Sequence, residues 1–332
     1  MARPEKPVYQ PPAEQLALFP DVSGNTVNGL GETVIRQPTP IFWHYGKEDM
    51  PHKALQDYYL KQFDNKPELQ DFQHKYGGRG SARPPEKTDA PTEDTPENWV
   101  VRIREHGLAH ESDIVGVARV NQDWVFEGYE VTDPWIVMIG VAMDHAELAK
   151  APSIESPKEV MAQYNRGTRA ARAIANFIQG HGYSAWPHGG PMTGPMLLIP
   201  AAIEAGMGEL GKHGSIINRQ FGSSFRLAGV LTDMPLVANA PDIFGADDFC
   251  MNCQICTTAC PPDAIKREKN PVRGIEKWYV NFDKCIPYFN DTQGCGICIA
   301  ACPWSTPGRA PQMAEKMTAR RARIARGDVH EG

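Results

Sequence analysis

The middle of the chain alternates between two hydrophobic patterns. Helical spacing of apolar positions predicts three helices, at residues 99–109, 159–180 and 197–205. Short apolar runs rich in β-branched residues predict buried strands, at residues 114–118, 135–142, 183–187 and 225–231. Because helices alternate with strands, residues 98–240 are predicted to form one mixed α/β domain.

The flanking segments have different compositions. Residues 1–97 are rich in proline and polar residues, and 78–97 has the composition of an exposed linker. We therefore expect 1–97 to be an extended, partly ordered segment that carries no chemistry. After the α/β domain, residues 241–306 hold every cysteine, and 307–332 form a basic tail with a helix predicted at 313–326. We interpret that helix as a solvated or docking face.

The overall composition is that of a globular protein with a substantial core, since 41% of the 332 residues are apolar and 22% are charged. The net charge of −6 disfavours nucleic acid as a partner. No apolar run reaches the ~18 residues that a bilayer requires, and the N-terminus has neither an apolar signal region nor a twin-arginine pair. We therefore predict a cytoplasmic protein. Peripheral membrane association and a homodimer both stay open.

All eight cysteines lie in two spaced runs. The first run reads C-x₂-C-x₂-C-x₃-C-P, and the second is a single cysteine followed by C-x₂-C-x₃-C-P. In two-cluster ferredoxins, three cysteines of such a run bind one [4Fe–4S] cluster and the fourth binds the other. The pattern predicts cluster 1 on Cys250, Cys253, Cys256 and Cys302, and cluster 2 on Cys285, Cys295, Cys298 and Cys260.

Disulfides, zinc binding and ordinary core packing each account less well for the cysteine pattern. Disulfide frameworks belong to small secreted domains, and this chain shows no secretory signal. Structural zinc sites usually pair two C-x₂-C units across a spacer rather than placing three cysteines in a row before C-P. Scattered core cysteines would not gather in one short segment. Two electron-carrying clusters remain the best interpretation.

Several segments together resemble the catalytic subunits of cobalamin-dependent reductive dehalogenases. The resemblance covers residues 98–306 and depends on the order and spacing of its segments. Epoxyqueuosine reductases share the cobalamin-binding core, but the Leu-Thr-Asp-Met-Pro-Leu run at 231–236 is more typical of the dehalogenases. The matching segments are 208–214, 226–236, 249–256, 283–289 and 294–304.

The resemblance implies a nitroreductase-like α/β core that buries a corrinoid, with a ferredoxin-like two-[4Fe–4S] module stacked against it. It also implies base-off cobalamin, and the chain has no Asp-x-His-x-x-Gly run that would supply a histidine ligand. Glycines let a backbone approach a flat macrocycle closely. We expect such contacts from Gly208, Gly211 and Gly214, together with His213. Turns account for the glycines equally well, and a lone histidine is more often an ordinary hydrogen-bonded residue than a ligand, so both interpretations stay open.

The resemblance further implies a catalytic pair. Tyr164 matches the family's proton-donating tyrosine, and Arg226 holds the place of its basic residue. A free phenol has a pKa near ~10, so it donates poorly unless a neighbour stabilises its anion. Arginine stays cationic even when buried and suits that role. A packing tyrosine and a carboxylate-paired arginine are the alternatives. Tyr183 is the competing tyrosine, but its place after Gly182 indicates the start of a strand.

The implied function is reductive dehalogenation of an organohalide by cobalamin in its Co(I) state, with two clusters relaying electrons and Tyr164 donating a proton. We expect an external electron donor (ferredoxin, flavodoxin or a membrane donor), because the chain has no fused reductase module. One alternative is epoxyqueuosine-type reduction of a tRNA nucleoside, which the acidic charge disfavours. Another is an electron carrier or corrinoid-handling protein without its own substrate, which would not need the long domain before Cys250.

Overall fold

The computed structural model of the chain describes residues 8–44, 47–76, 91–190 and 194–327. The linker predicted at 78–97 lies outside the described residues as far as position 90. The helices are α1 Ala13–Leu16, α2 Gly24–Val27, α3 Lys53–Asp64, α4 Pro67–Tyr76, α5 Pro96–Ala109, α6 His145–Leu148, α7 Glu155–Gly180, α8 Leu198–Glu204, α9 Ala246–Asn252, α10 Ile255–Ala259, α11 Phe282–Asp291, α12 Ile297–Ala300 and α13 Arg309–Ala325. The strands are β1 Ile114–Arg119, β2 Trp135–Ala142, β3 Ala185–His188, β4 Glu209–Leu210, β5 Ile216–Ile217, β6 Phe225–Thr232, β7 Asn270–Val272 and β8 Ile275–Lys277.

The central sheet contains four antiparallel strands in the order β1-β2-β6-β3. β2 and β6 pair along their whole length, from Trp135 opposite Thr232 to Ala142 opposite Phe225. These are the four strands that the apolar runs predict. The three predicted helices of the domain are also present, as α5, α7 and α8.

α7 begins at Glu155, four residues before its predicted start. Pro157 falls in its first turn, where main-chain N–H groups have no helical partner, so the proline is tolerated there. The extra turn matters because it places further α7 side chains beside the cysteine-rich module.

The two faces of the sheet are covered by different helices. α5 and α7 pack on one face, where Ile174 and Ile178 contact strand residues such as Val137 and Val230. α8 packs on the other face, with Ala201 and Ala202 against Met138, Ile136 and Leu231. Full burial of each large aliphatic side chain contributes about 1.5–3 kcal/mol, so the sheet is held rigidly between two apolar layers.

The N-terminal segment is not extended as expected, because α3 and α4 occupy most of residues 53–76. Leu55, Tyr59 and Phe63 recur every fourth residue, which places them on one side of a helix. α3 packs against α11 of the cysteine-rich module, and α4 packs against α7. Tertiary contacts of this aromatic side therefore fix a helix whose other side is strongly polar.

The cysteine-rich module is fastened to the α/β core by Glu209 in β4. Its buried carboxylate accepts hydrogen bonds from the main-chain N–H groups of Phe244, Gly245 and Ala246, at 2.9, 2.7 and 2.9 Å. These donors lie at the N-terminus of α9, where a negative charge is favourable. The core and the module are thus joined at the helix that carries Cys250.

No helix within the described ranges is both long enough and apolar enough to cross a membrane.

Candidate active site and cysteine clusters

A cavity of about 250 Å³ lies where the α/β core, the N-terminal helices and the cysteine-rich module meet. Its volume suits a small organic molecule rather than a macrocycle. Its wall is mostly apolar, and five of the lining side chains are aromatic. The principal lining residues are Trp43, Tyr59, Phe63, Tyr164, Arg226 and Phe289.

The structure brings Tyr164 and Arg226 together in this cavity. The guanidinium carbon Cζ of Arg226 lies 5.3 Å from the centroid of the Tyr164 ring. This distance is within cation–π range, so the arginine charge acts directly on the phenol. The Nε atom of Arg226 is buried without a hydrogen-bond partner among the described residues. An unpaired buried donor of this kind is costly and is typical of a site that a ligand completes.

Tyr164 and Arg226 meet because of the spacing of residues along α7 and β6. Arg226 lies two residues before Ala228 and four before Val230, so all three point to the α7 side of β6. Tyr164 lies one turn before Gly167 on the side of α7 that packs on the sheet. A Cβ at Gly167 would lie 3.4 Å from Ala228, which shows how closely helix and strand approach. The apolar contact between α7 and β6 therefore ends at the polar pair of Tyr164 and Arg226.

Tyr59 is a second tyrosine of the cavity and is not among the site residues predicted from the sequence. Its ring stacks on Phe289 with centroids 5.7 Å apart, and it meets Trp43 edge to face at 4.6 Å. Burial, and then the neighbouring Tyr164, raise the pKa of Tyr59 well above that of a free phenol. Tyr183, the competitor considered from sequence, lies elsewhere and donates its hydroxyl to the carbonyl of Thr92 at 3.0 Å. The four-residue spacing of α3 was the available signal for Tyr59.

The eight cysteines form no disulfide, and their thiols fall into two neighbourhoods. Burial, and then the thiols of Cys302, Cys256 and Cys253, raise the pKa of Cys250 to about 12. Burial, and then the thiols of Cys295 and Cys260, raise the pKa of Cys285 to about 12. Cys298 belongs to the second group, since after burial the thiols of Cys295, Cys285 and Cys260 raise its pKa more than Cys256 of the first group does. The grouping agrees with the crossed ligand sets, whose assignment to individual clusters stays a prediction.

Among the described residues, no three His, Cys, Asp or Glu side chains are close enough to share one metal ion. A cube of four irons spaces its thiolates more widely than one zinc ion does. Without bound metal, the raised pKa values of Cys250 and Cys285 keep their thiols protonated at neutral pH. Metal binding would deprotonate them.

Lys212 places a buried positive charge beside the cluster 1 cysteines. The side chain is 1% exposed, and its Nζ donates to the main-chain carbonyl of Cys253 at 2.9 Å. The same ammonium lies 4.7 Å from the centroid of the Trp278 ring. A hydrogen bond from the Lys212 main chain offsets part of the rise that burial causes in the pKa of Cys250. The residue therefore stabilises negative charge on this group of sulfurs.

Replacing Lys212 by methionine is expected to lower the midpoint potential of cluster 1. Loss of a neighbouring positive charge worth about 1 kcal/mol corresponds to roughly 40 mV for one electron, and the reduced cluster is the more negative form. Redox titration followed by electron paramagnetic resonance measures the shift. Lys212→Arg is the control, because it keeps the charge and should keep the potential. A Met variant with full iron content and an unchanged potential would contradict this role.

The four residues expected to contact a corrinoid lie away from the cavity. Gly208 has φ of +131°, and a Cβ there would lie 2.0 Å from the carbonyl oxygen of Ile217, so close packing between β4 and β5 already requires glycine. A Cβ at Gly211 would lie 2.6 Å from the His213 ring, and one at Gly214 would lie 3.1 Å from Val280. Each glycine thus has a packing role, and contact with a corrinoid stays a prediction.

His213 is a buried, fully hydrogen-bonded histidine. Its Nδ1 accepts from the main-chain N–H of Ser215 at 3.2 Å, which leaves Nε2 to donate to the Ser223 hydroxyl at 2.9 Å. Ser223 in turn donates to the carbonyl of Ile216 at 2.9 Å. Burial lowers the pKa of His213 to about 4, so the ring is neutral at neutral pH. These bonds favour the ordinary structural interpretation left open by the sequence.

Unpaired polar atoms occur where the core faces the cysteine-rich module. Within the described part of the chain, Ser156 Oγ and Asn165 Nδ2 on α7 are buried without hydrogen-bond partners, as are Ser224 Oγ and Arg226 Nε at the start of β6. Ser156 Oγ lies 3.4 Å from the position of a Cβ at Gly296, between two cluster cysteines. Buried polar groups normally find partners. Unpaired buried groups of this kind are candidates for contacts with a bound cofactor.

The chain is similar to a known domain family and to two groups of known enzymes. A family model described as a 4Fe-4S dicluster domain matches residues 249–306. The tetrachloroethene reductive dehalogenase of Desulfitobacterium hafniense is 33% identical over 207 residues, which are 58% of this chain and 37% of that protein. The epoxyqueuosine reductase of Escherichia coli (strain K12) is 28% identical over 204 residues, which are 53% of this chain and 50% of that protein.

The fold has a matching solved structure. A reductive dehalogenase whose mechanism is described as B12-dependent aligns with a TM-score of 0.63 and 25% identity, over 83% of this chain and 42% of that one. The chain thus spans about a third to a half of the length of the relatives it matches. The predicted resemblance to the reductive dehalogenases is confirmed. The mixed α/β fold with a C-terminal ferredoxin-like two-cluster module is confirmed as well.

Proposed function

We propose that this chain, a relative of the reductive dehalogenases, removes halide from a small organohalide by reduction. The observation that carries the proposal is the Tyr164–Arg226 pair in an aromatic cavity beside the cysteine-rich module. Reductive removal of halide needs two electrons and a proton at one carbon. The cavity offers a phenol, a fixed positive charge and a neighbouring set of cysteines proposed to bind the clusters.

The cavity wall suits a substrate with one unsaturated or aromatic ring. Trp43, Tyr59, Phe63 and Phe289 provide flat apolar surfaces, and a volume of about 250 Å³ accommodates little more than a single ring with substituents. Arg226 and Tyr164 can orient a polar substituent. We therefore propose haloaromatic or haloalkene substrates.

Tyr164 is proposed as the proton donor and Arg226 as the residue that stabilises its anion. As the phenol proton leaves, negative charge develops on the tyrosine oxygen. A guanidinium 5.3 Å from the ring centroid attracts that charge more strongly than it attracts the neutral phenol. Because the wall of the cavity is mostly apolar, this attraction is weakly screened and favours the transfer.

Electrons are proposed to reach the cavity through cluster 2. Phe289, Gln293 and Gly294 line the cavity, and they belong to the segment between Cys285 and Cys295. The cofactor proposed between core and module is a corrinoid, base-off as in the family pattern, with Ser156, Asn165 and Ser224 as its polar contacts. When bound, a reduced corrinoid supplies the strong nucleophile or reductant that cleaves a carbon–halogen bond.

A halide-release screen tests the proposal. The anaerobically reconstituted protein is incubated with reduced viologen and a panel of haloaromatics and haloalkenes, and released halide is measured by ion chromatography. We expect catalytic halide release from at least one class. Epoxyqueuosine in a tRNA stem-loop is the control substrate. Reduction of epoxyqueuosine without halide release would favour the tRNA-modifying alternative, and turnover of neither would favour an electron carrier.

A further inference from the structure

We propose that the groove between the end of α9 and the C-terminal half of α13 docks a small acidic electron-transfer protein, which reduces cluster 1. The inference rests on the proposed function, because it supplies the external electron donor that the activity requires. We call this surface the Met251 groove. It has a volume of about 660 Å³, and its lining includes Asp248, Met251, Asn252, Thr318, Arg320 and Ile324.

The groove lies directly on the cluster 1 loop. Met251 and Asn252 are the two residues between Cys250 and Cys253, and both are exposed. Met251 is 51% exposed and Ile255, just before Cys256, is 48% exposed. A protein seated here would be separated from cluster 1 only by the binding loop itself. Cluster 2 is proposed to lie toward the catalytic cavity. Electrons that enter at the groove would therefore pass to cluster 1, then to cluster 2, and then to the cavity.

The charge of the groove's rim selects an acidic partner. Two basic residues, Arg320 and Arg321, line the groove, and they belong to a segment, 309–326, that holds six basic residues and one acidic residue in a chain whose total charge is −6. The nearby carboxylates are already paired, Asp248 with Arg321 at 2.7 Å and Asp247 with Lys269 at 2.6 Å. Complementary charge around a small apolar centre speeds encounter and fits the small interfaces of electron-transfer complexes.

The same helix is poorly suited to binding a membrane. Its apolar residues Ala310, Ala314 and Met317 are buried against the module core around Trp304. A helix that lies in a bilayer surface needs its apolar side free for insertion. The outward side of α13 is basic and polar, so a soluble acidic protein is the better match.

Charge reversal at the groove tests the proposal. In the cluster-loaded protein, Arg320→Glu combined with Arg323→Glu should lower the second-order rate constant of cluster reduction by a reduced plant-type ferredoxin or flavodoxin about 10-fold or more at low salt. The rate is followed by stopped-flow absorbance without organohalide, so the result does not depend on dehalogenation. The matched control, Lys61→Glu with Arg104→Glu, changes the net charge equally on other surfaces and should keep the rate.

Reduced viologen should reduce both variants to the same final extent, which shows intact clusters. Equal ferredoxin and flavodoxin rates in the groove variant and the control would overturn the proposal. So would groove-dependent binding to phosphatidylglycerol vesicles with unchanged rates, because it would assign the groove to a membrane surface. If the unaltered protein released no halide although ferredoxin reduced its clusters normally, the proposed function would be contradicted. The docking surface would still be supported.

Discussion

Replacing Tyr164 by phenylalanine is expected to lower the kcat of halide release by about 100-fold or more, the usual contribution of a positioned general acid. The substitution removes only a hydroxyl from a ring that lines the cavity, so its packing is retained. Arg226 would then lie beside a ring with no proton to give. Iron and cobalt contents should match those of the unaltered protein, and halide release by ion chromatography measures the loss.

Tyr59→Phe is the matched control for this experiment. Tyr59 lines the same cavity, but its pKa is raised by burial and by Tyr164, and no arginine is stacked on its ring among the described contacts. We expect its loss to change kcat by less than about 10-fold, since it acts as an apolar wall. Full activity in Tyr164→Phe, or an equal loss in both variants, would remove Tyr164 from the role of proton donor.

Replacing Cys302 by serine is expected to destroy cluster 1, although Cys302 lies in the second cysteine run. Iron should fall from about eight to about four per chain, because each cubane needs four thiolates. Cys302 is one of the thiols that raise the pKa of Cys250, which places it beside the first run in space. Cys260→Ser, by the same crossing, should destroy cluster 2. Iron analysis and electron paramagnetic resonance of the reduced variants distinguish the two losses.

The two cysteine variants should also differ in function. Cys302→Ser keeps cluster 2 next to the cavity, so small chemical reductants should still support part of the turnover, whereas Cys260→Ser should lose it. If Cys302→Ser removed the same spectral signal as Cys285→Ser, the crossed ligand sets would be wrong and each run would bind its own cluster.

The sequence predicted the parts of the site that depend on local period. The helix that carries Tyr164 and the strand that carries Arg226 follow from apolar spacing of 3.6 and of 2 residues, whereas the two residues themselves were expected only from the resemblance to the reductive dehalogenases. Cysteine spacing likewise indicated the two thiol groups that the structure brings together. Such patterns report which way a side chain points within its own element.

The sequence did not predict the features that depend on distant packing. α3 mixes Tyr59 and Phe63 with lysine, glutamine and aspartate, and it is held in place by α11 more than 200 residues away in the chain. Spacing also does not reveal whether a glycine faces a cofactor or another strand. Gly208 faces Ile217, a contact that arises only when β4 and β5 pair.

The most direct test of the account is the metal content of the protein reconstituted anaerobically with iron, sulfide and cobalamin. Two clusters relaying electrons to a corrinoid predict about eight irons and about one cobalt per chain after gel filtration. Asn165→Ala and Ser224→Ala together should lower the cobalt content and leave iron unchanged. Full iron loading with no retained cobalt would contradict the account.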